Sequence, residues 1–357
     1  MTILEGVEMS ALSPGDRLPL LARPAKTGVG LDVWIRNNRG HVGSLLSRHG
    51  AILFRGFGLA GPPDFERAVA SVSGEALDYV YRSTPRTALG NKIFTATEYP
   101  PRQNIPLHNE NAYQLDWPMR LLFYCARPAE QGGETLIADM LKVTARISPR
   151  IREEFLGKGV MYVRNYGGGV DLPWQTVFQT GDKAEVEQYC RNHRIAFEWK
   201  AGDCLRTRQT CQAMARHPET GDHIWFNQAH LFHVSSLGPG PRSAVLAVFG
   251  EQDLPRNAYY GDGSPIEEEA LEEIRRAFSA ETVSFPWEAG DLLLVDNMLV
   301  AHGRSPYRGA RQVLVAMTDS YSNSRGGRAL SPVTAQAVSM TERVEATRPR
   351  AGKESAP

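Results

Sequence analysis

The chain lacks the features that mark membrane, secreted and nucleic-acid-binding proteins. No run of about 18 or more apolar residues occurs in its 357 residues, so no bilayer-spanning helix is expected. Its four cysteines, Cys125, Cys190, Cys204 and Cys211, include no Cys-x-x-Cys pair. They read as reduced thiols, not as a disulfide framework or a thiolate metal site. Neither sign of charge dominates, because 40 Lys and Arg balance 40 Asp and Glu. No basic field exists to steer nucleic acid, and no acidic block suggests a solvating tail. The first residues, MTILEGVEMSALSPGD, are acidic and lack the basic and apolar regions of a signal peptide. With the reduced thiols, this makes a cytoplasmic protein the expectation, with neither membrane nor nucleic acid as a partner. No internal repeat is present.

What is present is a large apolar fraction, 42%, enough for a sizeable core. Large β-barrels run to this length as one unit. Residues 1–325 are expected to form a single domain with N-terminal helices and an insertion at about 143–211. Residues 326–357 are rich in small and polar residues and in proline, so a flexible C-terminal tail is expected there. The segment LDVWIRNNRGHVGSLLSRHG has helical apolar spacing and predicts one helix stopped by Gly50. AILFRGFG predicts a short buried strand. PPDFERAVASVSG predicts a second helix, with proline at its start and glycine at its end. Strands are expected from Tyr79 to Asp139 and again from Met214 to Tyr321, with a helix near AEVEQYCRNH between them.

Three residues carry the chemistry. His108 and Glu110 lie in PLHNENAY, and His302 lies in LLLVDNMLVAHGRSPYRGARQVLVAM. Two imidazoles and one carboxylate make a facial set of three ligands. Such a set leaves three positions of an octahedral Fe(II) open, two for a chelating co-substrate and one for dioxygen. The i, i+2 spacing predicts that His108 and Glu110 share one face of a strand. The apolar run Leu292–Val300, broken by Asp296 and Asn297, predicts a buried strand that delivers His302. A His-x-Glu tripeptide alone recurs by chance as an ordinary surface loop, so further residues must carry the argument. Gly132-Gly133-Glu134-Thr135 follows the first pair. Arg311 comes nine residues after His302, on what reads as another strand. Asn104 lies four residues before His108.

Together these residues resemble the taurine dioxygenase (TauD/TfdA) superfamily of Fe(II)/2-oxoglutarate dioxygenases, over about Leu46 to Tyr321. The resemblance implies a mainly β fold with flanking helices around a double-stranded β-helix (jelly-roll) core. It implies Fe(II), 2-oxoglutarate as co-substrate, and O2. It makes His108, Glu110 and His302 the iron ligands and catalytic centre. It gives Thr135 and Arg311 the task of holding 2-oxoglutarate, and it turns Asn104 toward substrate. An arginine suits the co-substrate role because its planar fork grips a carboxylate bidentately.

Within that superfamily, RSTPRTALG, TATEYPPRQNIPLHNENAY, LLFYCARPAEQGGETLIADM, RHPETGDHIWFNQAHLFH and DNMLVAHGRSPYRG resemble the SyrP-like branch. Its members are β-hydroxylases of amino acids, several of them acting on residues tethered to carrier proteins. The implied activity is hydroxylation of an unactivated C–H of an amino acid, free or carrier-bound, in secondary-metabolite (antibiotic) biosynthesis. Glu110 departs from the small residue with which halogenating relatives make room for chloride. Two other outcomes stay open. The same iron centre could act as a desaturase or other two-electron oxidase, or the barrel could bind metal or ligand without catalysis.

Two departures from the pattern matter. Arg311 is followed by Gln312 where relatives carry a double basic pair, which leaves Arg311 as the single candidate clamp unless a shift of the local alignment brings Arg308 into play. Val315 stands where taurine-type enzymes place a second arginine for the sulfonate, which argues against a sulfonate substrate. Arg82 and Arg86 are candidate contacts for a carboxylated substrate. Trp225, Phe226 and Asn227 are expected to line the barrel near the co-substrate. His217, His223, His230 and His233 cluster in sequence, yet no cysteine or carboxylate stands at ligand spacing, so structural or substrate-facing roles are expected for them over a second metal.

Overall fold

Alternation of apolar side chains along the longest strands sets the architecture. Leu121, Phe123 and Cys125 point to one face of the strand Asp116–Arg127, and Leu122 and Tyr124 point to the other; all are buried. The strands Leu292–Asp296 and Gln312–Ser322 flank it antiparallel and alternate in the same way. Such two-sided burial requires a layer on each face. The computed structural model supplies both, and it describes residues 2–12, 17–78, 81, 83–84, 86–323 and 328–329.

One face of this ten-stranded sheet is covered by the helices Leu31–Asn37, Arg39–His49 and Pro62–Ser73. Trp34, Ile35, Leu46, Phe65 and Val69 pack there on Leu122, Leu294, Leu314 and Ala316. The other face closes on a four-stranded sheet ordered Thr282–Phe285, Thr135–Asp139, Val300–Arg304, Ile105–His108. Ile137, Ala138, Val300 and Ala301 from that sheet share a core with Leu121, Phe123, Leu293 and Val315. The two sheets form the double-stranded β-helix, a jelly roll with flanking helices.

A further four-stranded sheet is ordered Ala196–Lys200, Cys204–Cys211, Val160–Tyr166, Arg256–Tyr260. Its edge strand comes from beyond residue 211, so the stretch at about 143–211 is not self-contained. The helix expected in that stretch is Lys183–Asn192, capped by the Asp182 carboxylate on Ala184 N–H. The C-terminal stretch lies outside the described residues except for Arg328–Ala329, which pairs with Tyr321 and Ser322.

The single helix expected before Gly50 is two helices. Asn38 sits between them at φ −114° and ψ 21°, off the helical region. Its side chain donates to the Trp34 carbonyl and to Glu5, a local alternative to helix propagation. Gly50 ends the second helix at φ +75°. A Cβ there would lie 2.5 Å from Val300 Cγ2, at the start of the strand that carries His302. Gly50→Ala therefore meets both a left-handed backbone and a clash. We expect it to lower stability by roughly 1–3 kcal/mol, read as an earlier midpoint in urea denaturation.

Candidate metal centre and co-substrate pocket

The strand Ile105–His108 pairs with Val300–Arg304 so that His108 lies opposite His302. Their ring centroids are 4.4 Å apart. Glu110 is not on this strand, contrary to the expectation from its spacing. The strand ends at His108, and a turn opens through Asn109, with Asn111 left-handed at φ 58°. Ala112 N–H donates to the Asn109 carbonyl and Gln114 N–H to that of Asn111, which closes the turn. This turn swings the Glu110 carboxylate back over the two rings. His302 Nε2 is 3.8 Å from Glu110 Oε2. One ligating atom from each of the three residues lies within 4.8 Å of the others.

His302 arrives differently from the expected continuous strand. Leu292–Asp296 belongs to the large sheet, the chain turns through Asn297–Leu299, and Val300–Arg304 in the small sheet carries His302 at its centre. Asp296 builds this turn. Its Oδ1 accepts from the N–H groups of Met298 and Leu299, an Asx-type turn. Its Oδ2 accepts from His217 Nε2 at 3.0 Å. Burial opposes charge on His217, but the Asp296 bond and charge prevail and raise its pKa.

Asn297 then joins the two halves of the site. It is fully buried. Its Oδ1 accepts from Glu110 N–H at 2.7 Å, and its Nδ2 donates to the carbonyls of Glu110 (2.9 Å) and Pro118 (2.8 Å). Asn109 Nδ2 in turn donates to the Asn297 carbonyl at 2.6 Å.

The donor set suits a divalent metal. His108 Nδ1 is held 2.9 Å from the Pro106 carbonyl, which keeps the proton on that nitrogen and the Nε2 lone pair free. Burial lowers the His108 pKa against the pull of Glu110. Burial, then His108, then Arg86 push His302 well below its usual range. Both rings are thus neutral, the form a metal requires. Arg86, expected to contact substrate, instead places Nη2 2.6 Å from Glu110 Oε2, with both side chains buried. It compensates a buried carboxylate that would otherwise cost roughly several kcal/mol. Arg82 lies outside the described residues. Asn104 is exposed, just before the His108 strand.

The Gly-Gly-Glu-Thr motif shapes the neighbouring pocket. Gly132 and Gly133 adopt φ +69° and +75°. A Cβ on Gly133 would sit 3.0 Å from Arg311 Cδ and Nε, so the missing side chain is the space the arginine occupies. Arg311 Nε donates to the Gly133 carbonyl at 2.9 Å. Arg311 stands just before the strand Gln312–Ser322, not within a strand. Burial and then the nearby Arg304 push its pKa down to about 10. Arg304 is itself occupied, donating to the carbonyls of Tyr99, Pro100 and Gln103. Arg308 is exposed on the short ladder with Gln131. Val315 is buried in the core, with no cation in its place. Thr135 opens its strand, and its Oγ1 accepts from Trp287 Nε1 at 3.0 Å.

The remaining histidines do not form a second centre among the described residues. His230 stacks on Phe278 and meets the Leu107 carbonyl, and burial pushes its pKa down to about 3. His233 accepts from Ser235 N–H, and burial lowers it to about 4. His223 is exposed. Trp225 packs on Phe155, Phe226 on Trp117, and Asn227 bridges Ala213 and Ala229. The residue of that stretch that reaches the metal loop is Gln228, donating to the Asn109 carbonyl at 2.6 Å. Sequence reasoning missed Gln228, Asn297 and the Arg86–Glu110 pair. The Asp-Asn pair that interrupts the apolar run was the signal for Asn297.

A family profile, taurine catabolism dioxygenase TauD, TfdA family, matches residues 17–318. The chain is 44% identical over 278 residues to the dapdiamide synthesis protein DdaC of Enterobacter agglomerans, covering 78% of this chain and 84% of that protein. It is 32% identical over 314 residues to a clavaminate synthase-like protein of Arabidopsis thaliana, covering 84% and 89%. Its fold is similar to that of PvcB, an Fe, alpha-ketoglutarate dependent oxygenase from an isonitrile synthetic pathway. That match has a TM-score of 0.55 and 15% identity, over 90% of this chain and 96% of that one.

Asn297→Ala would leave the Glu110 N–H and two carbonyls without their partner. We expect a stability loss of roughly 3–5 kcal/mol in urea denaturation. In protein that remains folded, Mn(II) affinity should fall about 10–100-fold by calorimetric titration.

Proposed function

The chain belongs to the TauD/TfdA family of Fe(II)- and 2-oxoglutarate-dependent dioxygenases, and from that premise we propose a hydroxylase of amino acids. The bond attacked is an unactivated C–H, at the β-carbon, of an amino acid that is free or tethered to a carrier protein. The observation that carries the assignment is the convergence of His108, Glu110 and His302, with Arg311 anchored on the Gly133 carbonyl. His108, Glu110 and His302 hold the iron. Arg311 and Thr135 hold 2-oxoglutarate. When bound, iron, 2-oxoglutarate and dioxygen together supply the oxidation, turning C–H into C–OH while the co-substrate becomes succinate and carbon dioxide.

The protein's own residues orient and enclose. Arg86 steadies the Glu110 carboxylate through the 2.6 Å contact. Arg311 is anchored by one nitrogen to Gly133, and neither terminal nitrogen makes a hydrogen bond among the described residues. That leaves a fork for the far carboxylate of a dicarboxylic acid. Phe123 packs tilted against His302, ring centroids 5.1 Å apart, and presents an apolar wall that excludes water. Asn104, exposed just before the His108 strand, is the proposed substrate contact. The relative named for dapdiamide synthesis supports a place in biosynthesis. The buried Val315 argues against a sulfonate held at that position.

The test is an anaerobic titration of the Fe(II)-loaded protein with 2-oxoglutarate, followed by visible charge-transfer absorption. We expect a band that is absent in His302→Ala, which should no longer bind iron. Arg311→Ala should raise the 2-oxoglutarate requirement roughly 100-fold or more and that of the amino acid far less, the loss of a buried charge-assisted pair. Equal effects on both would transfer the role to another residue. A gain of one oxygen in the product mass supports hydroxylation, and a loss of two hydrogens would reassign the centre to desaturation.

A further inference from the structure

The Thr135 hydroxyl can serve a carboxylate only if its proton is free to point at it. A threonine hydroxyl has one proton and two lone pairs. In the double-stranded β-helix, Thr135 is opposite Phe285 in the strand ladder. Trp287 lies two residues beyond Phe285, past the end of that strand. Its indole is buried and packs edge-on against Phe285 at 5.5 Å. Its Nε1–H donates to Thr135 Oγ1 at 3.0 Å. Indole N–H is a donor and nothing else. One lone pair of the hydroxyl is therefore filled, which confines its proton to the two remaining directions. Among the described residues, nothing accepts that proton. Two residues upstream, the Gly133 carbonyl accepts from Arg311 Nε, so the other proposed co-substrate contact is held by the same stretch of chain.

We infer that Trp287 is a positioning residue that locks Thr135 as a hydrogen-bond donor to a carboxylate of 2-oxoglutarate. The lock acts before the co-substrate arrives, because Trp287 is held by packing and not by the ligand. A buried hydroxyl left to rotate must be ordered at the moment of binding, and a pre-set one need not be. The inference rests on the assignment of Thr135 to the co-substrate.

The test uses the full chain loaded with Mn(II) and titrated calorimetrically with 2-oxoglutarate, so turnover is not the readout. Four proteins are compared: wild type, Thr135→Val, Trp287→Phe and the double variant. Trp287→Phe keeps an aromatic ring and removes only the N–H and part of the bulk. We expect each single variant to bind 2-oxoglutarate about tenfold more weakly, and the double variant no more weakly than Thr135→Val alone. Mn(II) affinity should stay within about twofold in all four, whereas a merely structural role for Trp287 would move metal binding and 2-oxoglutarate binding together. Trp287→Phe with wild-type affinity, or a double variant whose losses simply add, overturns the inference and leaves the Thr135 assignment standing. Thr135→Val with wild-type affinity overturns both. Melting temperatures identify a variant that has lost its fold. If Trp287→Phe is such a variant, Trp287→His keeps a ring N–H at this position; recovered affinity supports the lock, and affinity no better than that of Thr135→Val sinks it.

Discussion

Everything at the centre depends on one amide side chain that treats another segment's backbone as a strand partner. An asparagine offers a donor and an acceptor side by side, the complement of a peptide unit. Asn297 uses both on the same residue, taking the N–H of Glu110 and donating to its carbonyl. The ligands come from two segments of chain, and backbone pairing stops at His108. Beyond that point no ladder remains to fix Glu110, so a side chain has to. Aspartate could accept but not donate, and an apolar residue would leave buried backbone groups orphaned at roughly 1–3 kcal/mol each. The turn that carries Asn297 is itself set by Asp296, and Asp296 by His217. The geometry of the carboxylate is thus determined from outside its own turn.

Charge imposes the second constraint. Glu110 is buried, and Arg86 and His302 both face its Oε2. A carboxylate in that position needs a cation whether or not metal is bound, and Arg86 supplies one that cannot deprotonate. Two neutral rings beside a paired carboxylate form a site that is stable while waiting for metal. The rings stay neutral because burial lowers both pKa values, so the site does not have to expel protons from imidazolium to accept a dication.

Much of this was legible in the sequence, and what was not shares a cause. The alternating strands, the glycine stop at Gly50 and the helix from Pro62 are local patterns, and local patterns can be read. The three side chains that converge could be read too, since few residue sets combine two histidines, a carboxylate and a distal arginine at such spacings. The path of the chain through the ligands could not. His108 and Glu110 look like neighbours on a strand face, yet a turn separates them. The apolar run before His302 looks like one strand, yet Asp296 and Asn297 divide it between two sheets. In both places a side chain contacts a segment far away in sequence, and no periodicity encodes that. Arg86 is the same case: as one of several arginines in a polar loop it reads as a substrate contact, and no local pattern encodes its buried pairing with Glu110.

These features together explain why the pocket suits a dicarboxylate. Burial lowers the Arg311 pKa most, and the nearby Arg304 lowers it further. Arg304 spends its terminal nitrogens on three carbonyls that pin residues 99–103, and its buried Nε has no partner among the described residues. Arg311 has charge and donors, and Gly133 has no side chain to obstruct it. A metal dication would sit beside one carboxylate already shared with Arg86. The pocket therefore carries surplus positive charge in a region screened from water, where an anion is bound far more strongly than in solvent. A monoanion would satisfy the metal end or the arginine end. A molecule with a carboxylate at each end would satisfy both.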